Sequence, residues 1–480
     1  MKLVFGASGY IGTHLVTRLL ATGARLRVAS RRPEVLAARG WDRVEIIQAD
    51  ALNPQSLGRA LDGVKIAYYL VHSMAAGKDF GSLDLRAAAN FAHAAEQAGV
   101  DRIVYLGGLI PADASSEHII SRRDTGKILR RGSVPVTELR AGIIVGPGSA
   151  AFEIMRDLVY HLPIMVTPRW VRAKSPPIAL DNLLEYLVQA PLLEATKDKI
   201  YDAAGPEELT YEAMMRILAQ VAHRRPPWII PVPFLSPRLS SYWLKYVTSV
   251  PTNVARALIE GLKHDFSADN QELCRLMPQH LRNFRESVEA VFEAERRQGI
   301  QARWTEGAFS MRQNRSDYAF YAKQASAIAK TTASRAAVWQ VVTVIGGDNR
   351  YYKFNALWTW REVIDWLLGG PGLNRGRRHP TQLRVGDKID SWDVIGVDPE
   401  RRLSLASTMR APGAGVLEIE IGCLSDGSTR LSTTTYWHPA GVWGLLYWYA
   451  LEPVFKLMFR HLTREICRRA EAMELSRLSA

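Results

Sequence analysis

Three glycines at three-residue spacing, Gly6-Ala7-Ser8-Gly9-Tyr10-Ile11-Gly12, lie between a short apolar run, Leu3-Val4-Phe5, and a helix-like stretch from His14 to Leu20. Strand, glycine turn and helix in that order can hold a pyrophosphate. The first glycine permits the tight turn, the second lets backbone approach the phosphates, and the third lets the helix sit close to the strand. N–H groups freed at the helix start then bind the anion. The second strand, Arg25 to Ser30, runs into Ser30-Arg31-Arg32 at the place where an acid would bind a ribose diol. Guanidinium groups there favour a 2′-phosphate, hence NADP(H) over NAD(H); the alternative is an exposed basic turn before Pro33.

Such a turn has to be carried by a repeating fold, and the chain supplies one. Strand Val44 to Gln48 is followed by Asp50, whose carboxylate can accept from an adenine amino group or cap the next turn. A fourth strand, Val64 to Val71, ends in His72-Ser73; helix Leu83 to Ala98 carries LRAAANFAHAAEQA, small enough to lie flat on a sheet; strands Arg102 to Leu106 and Val136 to Val145 follow. The alternation implies right-handed crossovers and a Rossmann-type, doubly wound parallel sheet. A cofactor should lie across the carboxyl ends of these strands, beside Ala51, Leu70, Val71, His72 and Gly107.

GASGYIG, Asp50 after strand three, the glycine-ended VYLGGL and Leu139 to Gly148 (LRAGIIVGPG) resemble the atypical, NmrA-like branch of the extended short-chain dehydrogenase/reductase superfamily over residues 1–300. The resemblance implies a Ser after strand five and a Tyr-x-x-x-Lys pair, the lysine easing proton transfer by the phenol as hydride moves. Neither is present. Gly107-Gly108 stands where Ser is expected, and by register His118-Ile119-Ile120-Ser121-Arg122 occupies the Tyr-x-x-x-Lys slot. His118 can act there as a general acid near neutral pH, with Arg122 binding the cofactor through its donor fork. The competing reading makes both residues helix packing in a fold that binds NADP(H) without turning it over.

Residues 150–300 form the expected substrate-side lobe: helices Ala151 to Leu162, Asp181 to Gln189, Thr210 to His223, Leu239 to Val247, Val254 to Leu262 and Leu281 to Arg297, the segment Tyr201 to Gly205, and a proline-rich stretch from Arg225 to Pro237 too poor in N–H donors for a helix. Such an apolar lobe suits a bulky, poorly soluble substrate, or simply packs itself.

Periodicity lapses near 300–325, a linker placed at 301–320. Beyond it, a strand at Ala337 to Ile345, a helical run at Trp358 to Leu368, strands Lys388 to Val394, Arg402 to Met409, Gly415 to Cys423 and Ser428 to Trp437, and a terminal helix are expected. With GDKIDSWDV (Gly386 to Val394), MRAPG (Met409 to Gly413) and HPAG (His438 to Gly441), this part resembles an α+β helix-grip, START-like fold, specifically a bacterial domain of unknown function, over 321–480. That fold implies a cavity for a small hydrophobic ligand, with Ile389, Val394, Leu403, Leu405, Leu417, Ile419, Ile421 and Leu431 facing inward; a filled core explains the same alternation. The stripe Leu451, Val454, Phe455, Met458, Leu462, Ile466 and Ala470, with basic residues elsewhere on the helix and Trp443, Tyr447, Trp448 and Tyr449 before it, fits a helix packed on that sheet or a peripheral membrane contact.

Composition bounds the rest. The 480 residues are 47% apolar and 23% charged, ordinary for a folded protein with more than one core. A formal charge of +13 suits anionic ligands. Its basic pairs are scattered, with no nucleic-acid module. Three distant cysteines form no disulfide framework, and no metal-ligand spacing occurs. A cytoplasmic location is expected, since no signal-peptide pattern is seen and Gly441 to Leu451 is too short to span a bilayer.

Overall fold

The computed structural model describes residues 1–31, 33–37, 39–72, 80–111, 113–167, 169–231, 264–297, 322–346, 351–352, 355–367, 379, 381–424 and 426–478. The chain divides into two compact units, Met1–Gln313 and Asn314–Ala480.

The first unit opens with β1 (Lys2–Phe5), α1 (Tyr10–Ala21), β2 (Leu26–Ser30), α2 (Pro33–Ala37), β3 (Val44–Gln48), α3 (Pro54–Leu61), β4 (Ile66–Tyr69), α4 (Phe80–Gln97), β5 (Arg102–Gly108), α5 (Glu117–Leu129) and β6 (Val136–Ala141). It continues with α6 (Ala150–His161), α7 (Leu180–Gln189), β7 (Ile200–Ala203), α8 (Tyr211–Val221), α9 (Gln271–Leu276) and α10 (Phe284–Arg297). Seven strands pair in the order β7-β6-β5-β4-β1-β2-β3, all parallel. The order reverses at β1, which pairs with β2 on one side and β4 on the other, so the ligand crevice of this α/β sheet opens at the carboxyl ends of β1 and β4.

Strand side chains alternate between two cores. Val4, Val28, Tyr68 and Val104 point to one, with α1 and α7; Leu3, Phe5, Tyr69, Ile103 and Tyr105 point to the other, under α3 and α4. The alanines of α4 do what their size allows. Ala87, Ala88, Ala94 and Ala95 are buried, and Phe91 reaches between Phe5 and Tyr69 with ring centroids 5.2 and 4.8 Å away.

Two sequence expectations change here. The strand anticipated to run to Val145 stops at Ala141; Ile144–Val145 pairs instead with Ile178–Ala179, beyond Gly142, where a Cβ would lie 3.1 Å from the Pro176 carbonyl oxygen. Tyr201 to Ala203, expected in the lobe, joins the main sheet as edge strand β7 beside β6. Within the lobe, Arg156 of α6 makes a buried bidentate ion pair to Glu295 of α10 at 2.8 and 3.0 Å. Part of the proline-rich stretch forms a short strand, Trp228–Pro231, parallel to Ile164–Thr167. The helices anticipated at 239–247 and 254–262, and the linker at 301–320, lie outside the described residues.

The second unit contains β8 (Lys323–Thr331), α11 (Arg335–Thr343), α12 (Asn355–Leu367), β9 (Lys388–Ile389), β10 (Trp392–Asp398), β11 (Arg402–Ser407), β12 (Gly413–Cys423), β13 (Thr429–Pro439) and the long α13 (Gly441–Leu478). Its antiparallel sheet runs β8-β13-β12-β11-β10-β9, an α+β arrangement. The stretch expected as a strand at Ala337 to Ile345 is helical. Its Val-rich composition reads as β, but Ser334 caps the helix by accepting from Ala337 N, and Val338, Val341, Val342 and Ile345 recur at helical spacing on one buried face. Strand β8, rich in small Ala and Ser, was not anticipated and begins where periodicity lapses.

All eight anticipated inward positions, Ile389 through Leu431, are buried in one apolar cluster with α11 and α13. On α13, Met458, Leu462, Ile466 and Ala470 pack into that cluster, with Val454 and Phe455 at its margin. Of the aromatics before them, Trp448 is buried, Tyr447 lies tilted against Trp437 with ring centroids 4.9 Å apart, and Trp443 is exposed. Among the described residues no helix is long and apolar enough to cross a membrane.

Candidate functional site

The glycine turn is built as tightly as its spacing implies. Gly6 has φ +96°, and a Cβ there would stand 2.9 Å from the Leu70 carbonyl oxygen, where β4 ends beside β1. A Cβ on Gly9 would lie 3.2 Å from Gly6 O, and one on Gly12 would overlap that same oxygen. Thr13 Oγ1 donates to Ala7 O at 3.1 Å and braces the turn. Gly9 caps α1 without a side chain, and no acid sits in the first turn, so the positive helix end is left for an anion. Ala7 is buried, Ser8 and Gly9 are exposed at the mouth, and Tyr10 and Ile11 rest half-buried on the core.

Beside this turn the Ser30 hydroxyl lies 3.4 Å from that of Ser8. A cleft of about 250 Å³ opens next to it, lined by Arg31, Gln48, Asp50, Asn53 and Arg59 among others. Asp50 Oδ1 accepts from Leu52 N at 2.9 Å, so this carboxylate caps its turn while lining the cleft. Ala51 is buried, its carbonyl accepting from Asn90 Nδ2 at 3.0 Å. Arg32 lies outside the described residues. Arg59, on α3, is a cation at this cleft that sequence reading missed. Glycines a Cβ would jam, an uncapped helix start and an arginine in the adjoining cleft suit a dinucleotide, which residues 6–12, Ser30 and Arg31 could hold.

At the carboxyl ends of β4 and β5 the structure brings together residues far apart in sequence. His72 Nδ1 lies 2.5 Å from Asp84 Oδ2, and His72 Nε2 lies 2.9 Å from His118 Nδ1. Ser121 Oγ donates to the same Asp84 oxygen at 3.1 Å. Both ring nitrogens of His72, expected among the cofactor-binding residues, are engaged within the protein. Leu70 and Val71, just before it, are half-buried.

Arg122 stands one turn beyond His118 on α5. A Cβ on Gly108 would lie 3.2 Å from Arg122 Cδ, so the arginine fills the room a side chain there would need. Gly107 points the other way, toward Glu138. Desolvation, then the Arg122 charge, then His72 push the His118 pKa down to about 2. Burial also lowers His72, opposed by its hydrogen bond to Asp84. Burial holds Tyr105 neutral, its pKa raised to about 12, and its hydroxyl donates to Arg122 O at 3.0 Å.

Asp84 is the residue sequence reading passed over. A signal existed. Asp84 falls at helical spacing with Ala87, Ala88, Phe91 and Ala95, a carboxylate on the buried stripe of α4, where an unpaired charge would be costly.

Comparison with known proteins agrees with this geometry. Residues 6–131 match the NAD(P)H-binding family, and residues 317–462 match a family described as a protein of unknown function (DUF2867). The first unit is therefore a Rossmann-type α/β unit that matches an NAD(P)H-binding family, and part of the second matches DUF2867. Among curated proteins, the chain is 33% identical over 125 residues to sterol demethylase protein B of Methylococcus capsulatus, covering 24% of this chain and 38% of that protein. It is 27% identical over 165 residues to ceramide reductase of Caulobacter vibrioides, covering 34% of this chain and 52% of that protein. The chain thus spans about half or less of these relatives. The NADP(H) complex of Citrobacter sp. triphenylmethane reductase superposes with TM-score 0.51 at 19% identity, covering 60% of this chain and 99% of that one, a likeness of fold.

Proposed function

We propose that this protein is an NADP(H)-dependent reductase or isomerase of an apolar carbonyl or quinone-type compound, with His118 as the group that exchanges a proton with substrate and Arg122 beside it. The observation that carries the reading is the His72, His118 and Arg122 cluster at the carboxyl ends of β4 and β5, on the same sheet edge as the glycine turn. A bound reduced nicotinamide supplies hydride. The chain's own residues hold the diphosphate at 6–12, offer Arg31 and Arg59 to a 2′-phosphate, and keep His118 neutral so that it hydrogen-bonds a substrate oxygen without repelling Arg122. Preference for NADP(H) rests on those arginines. An apolar substrate is supported by the names of two relatives, which concern a sterol and ceramide. The sheet and long helix of the second unit suit a START-like helix-grip domain with a small hydrophobic ligand of its own.

The test is NADPH consumption by the full chain against a panel of hydrophobic ketones, aldehydes and quinones, with His118→Ala beside wild type. Turnover in wild type and its loss in the variant, at nearly unchanged NADPH affinity, supports the reading; turnover untouched by His118→Ala removes that residue from it. A second reading, a nonenzymatic NADP(H)-responsive sensor, is favoured by Gly107-Gly108 and His118 standing where related reductases carry Ser and Tyr. NADPH binding with no turnover across the panel would select it.

A further inference from the structure

The two histidines and Asp84 form a continuous hydrogen-bonded chain, and its polarity can be worked out from donors and acceptors. Asp84 as a carboxylate only accepts, and it takes Nδ1–H of His72 and the Ser121 hydroxyl. A neutral His72 then has a lone pair on Nε2, which requires His118 to donate from Nδ1 across the 2.9 Å contact. That leaves Nε2 of the partly buried His118 as the nitrogen through which it can meet a substrate. Add one proton at that nitrogen and the balance shifts. A charge on His118 would face Arg122 one turn away, whereas a charge on His72 would face the Asp84 carboxylate at 2.5 Å. The proton on His118 Nδ1 therefore passes inward to His72 Nε2. The loaded state is a His72 imidazolium paired to Asp84, with a neutral His118 presenting Nε2–H.

We propose that Asp84, His72 and His118 constitute a proton relay, in which His118 Nε2–H protonates substrate oxygen, His72 returns a proton to His118 Nδ1, and Asp84 fixes the tautomers and holds the stored charge. The role in turnover rests on the reductase reading above. Reduction of a carbonyl takes one hydride, from a reduced nicotinamide nucleotide, to carbon and one proton to oxygen. The N–H bond of His118 breaks as the O–H bond forms, the N–H bond of His72 breaks as His118 regains its proton, and both rings end neutral. A solvent proton reloads the pair. Asp84 and His72 are positioning residues in this scheme. Among the described residues, the other ionisable groups around it are Tyr69 of β4 and Tyr105 of β5, both kept protonated by burial, Arg122 of α5 and, beyond Tyr105, Arg140 of β6; Glu117 turns toward Gly81 of α4.

The direct test needs no turnover. In the cofactor-free full chain labelled with ¹⁵N-histidine, nitrogen shifts report which ring atom carries each proton, with His72→Asn and His118→Asn used for assignment. At neutral pH both residues should show the Nδ1–H tautomer, and on acidification the first proton should appear on His72 while His118 switches to Nε2–H. Asp84→Asn should abolish that order and return both rings to the Nε2–H tautomer usual in water; Ser121→Ala, which leaves the carboxylate, should preserve it. His118 carrying Nε2–H at neutral pH in wild type, or titrating before His72, overturns the relay, and wild type alone decides this if a variant fails to fold. Where turnover is found, Asp84→Asn should move the pH limit of kcat down by about one to three units with KM little changed, because loss of an adjacent opposite charge lowers the pKa of the loaded pair. A wild-type kcat profile in Asp84→Asn also overturns the relay. Correct tautomers with no turnover would leave the relay standing and reject the reductase reading.

Discussion

Replacing Gly12 with alanine tests the cofactor turn where its geometry is least forgiving. The added methyl would overlap the Gly6 carbonyl oxygen and stand 2.8 Å from Ala7 Cα, both backbone atoms that cannot swing aside. Helix α1 must then lift from the turn, carrying the N–H groups of its first turn out of register. Overpacking of this kind costs about 1–3 kcal/mol. At about 1.4 kcal/mol per decade, a penalty borne by the complex weakens NADPH binding by about 5- to 150-fold. Gly58→Ala in α3 is the matched control: nothing lies within 4 Å of the new methyl, and a helix interior prefers alanine. Calorimetric titration with NADPH gives the affinity, and thermal unfolding shows how much of the cost falls on the free protein. Gly12→Ala with wild-type affinity and wild-type Tm would refute the reasoning, since a backbone overlap of that size cannot vanish in both states.

Other perturbations probe separate parts of the account. Arg31→Ala should weaken NADPH by roughly tenfold or more, the size of a lost charged hydrogen bond, while leaving NADH binding unchanged; equal losses for both would remove Arg31 from the phosphate site. Glu295→Gln should lower stability by about 3 kcal/mol, near the bottom of the range for a broken buried ion pair, because Glu153 remains 3.5 Å from Arg156; denaturant unfolding followed by circular dichroism measures it. His72 and His118 both have folded pKa values below the unfolded 6.5, so the unfolded chain binds more protons in that window. Their contribution is complete above pH 6.5 and is lost as pH falls toward the folded values. His118→Asn should flatten this acid-side decline in Tm, and an unchanged slope would show that His118 is not held neutral.

Sequence carried the glycine turn between β1 and α1 because most of its demands are local. Gly9 and Gly12 answer to contacts within one turn, Gly6 to its positive φ, and the apolar run Leu3-Val4-Phe5 announces a strand buried on both faces. Asp84 was hidden because its partners are tertiary: twelve residues separate it from His72, and only the fold brings α4 against α5. Gly108 was read as a missing side chain, whereas the structure makes it the space that Arg122 occupies. In the second unit, β-branched residues of α11 outvoted their helical spacing, and the small residues of β8 lacked the bulk by which strands are recognised. There the cap at Ser334 was the better guide.

The central claim is that residues 6–12 and Arg31 bind a phosphorylated nicotinamide dinucleotide. Calorimetric titration of the full chain with NADPH and, separately, NADH tests it most directly. The account predicts saturable binding of both, with NADPH the tighter. No heat of binding with either nucleotide at millimolar excess would contradict it.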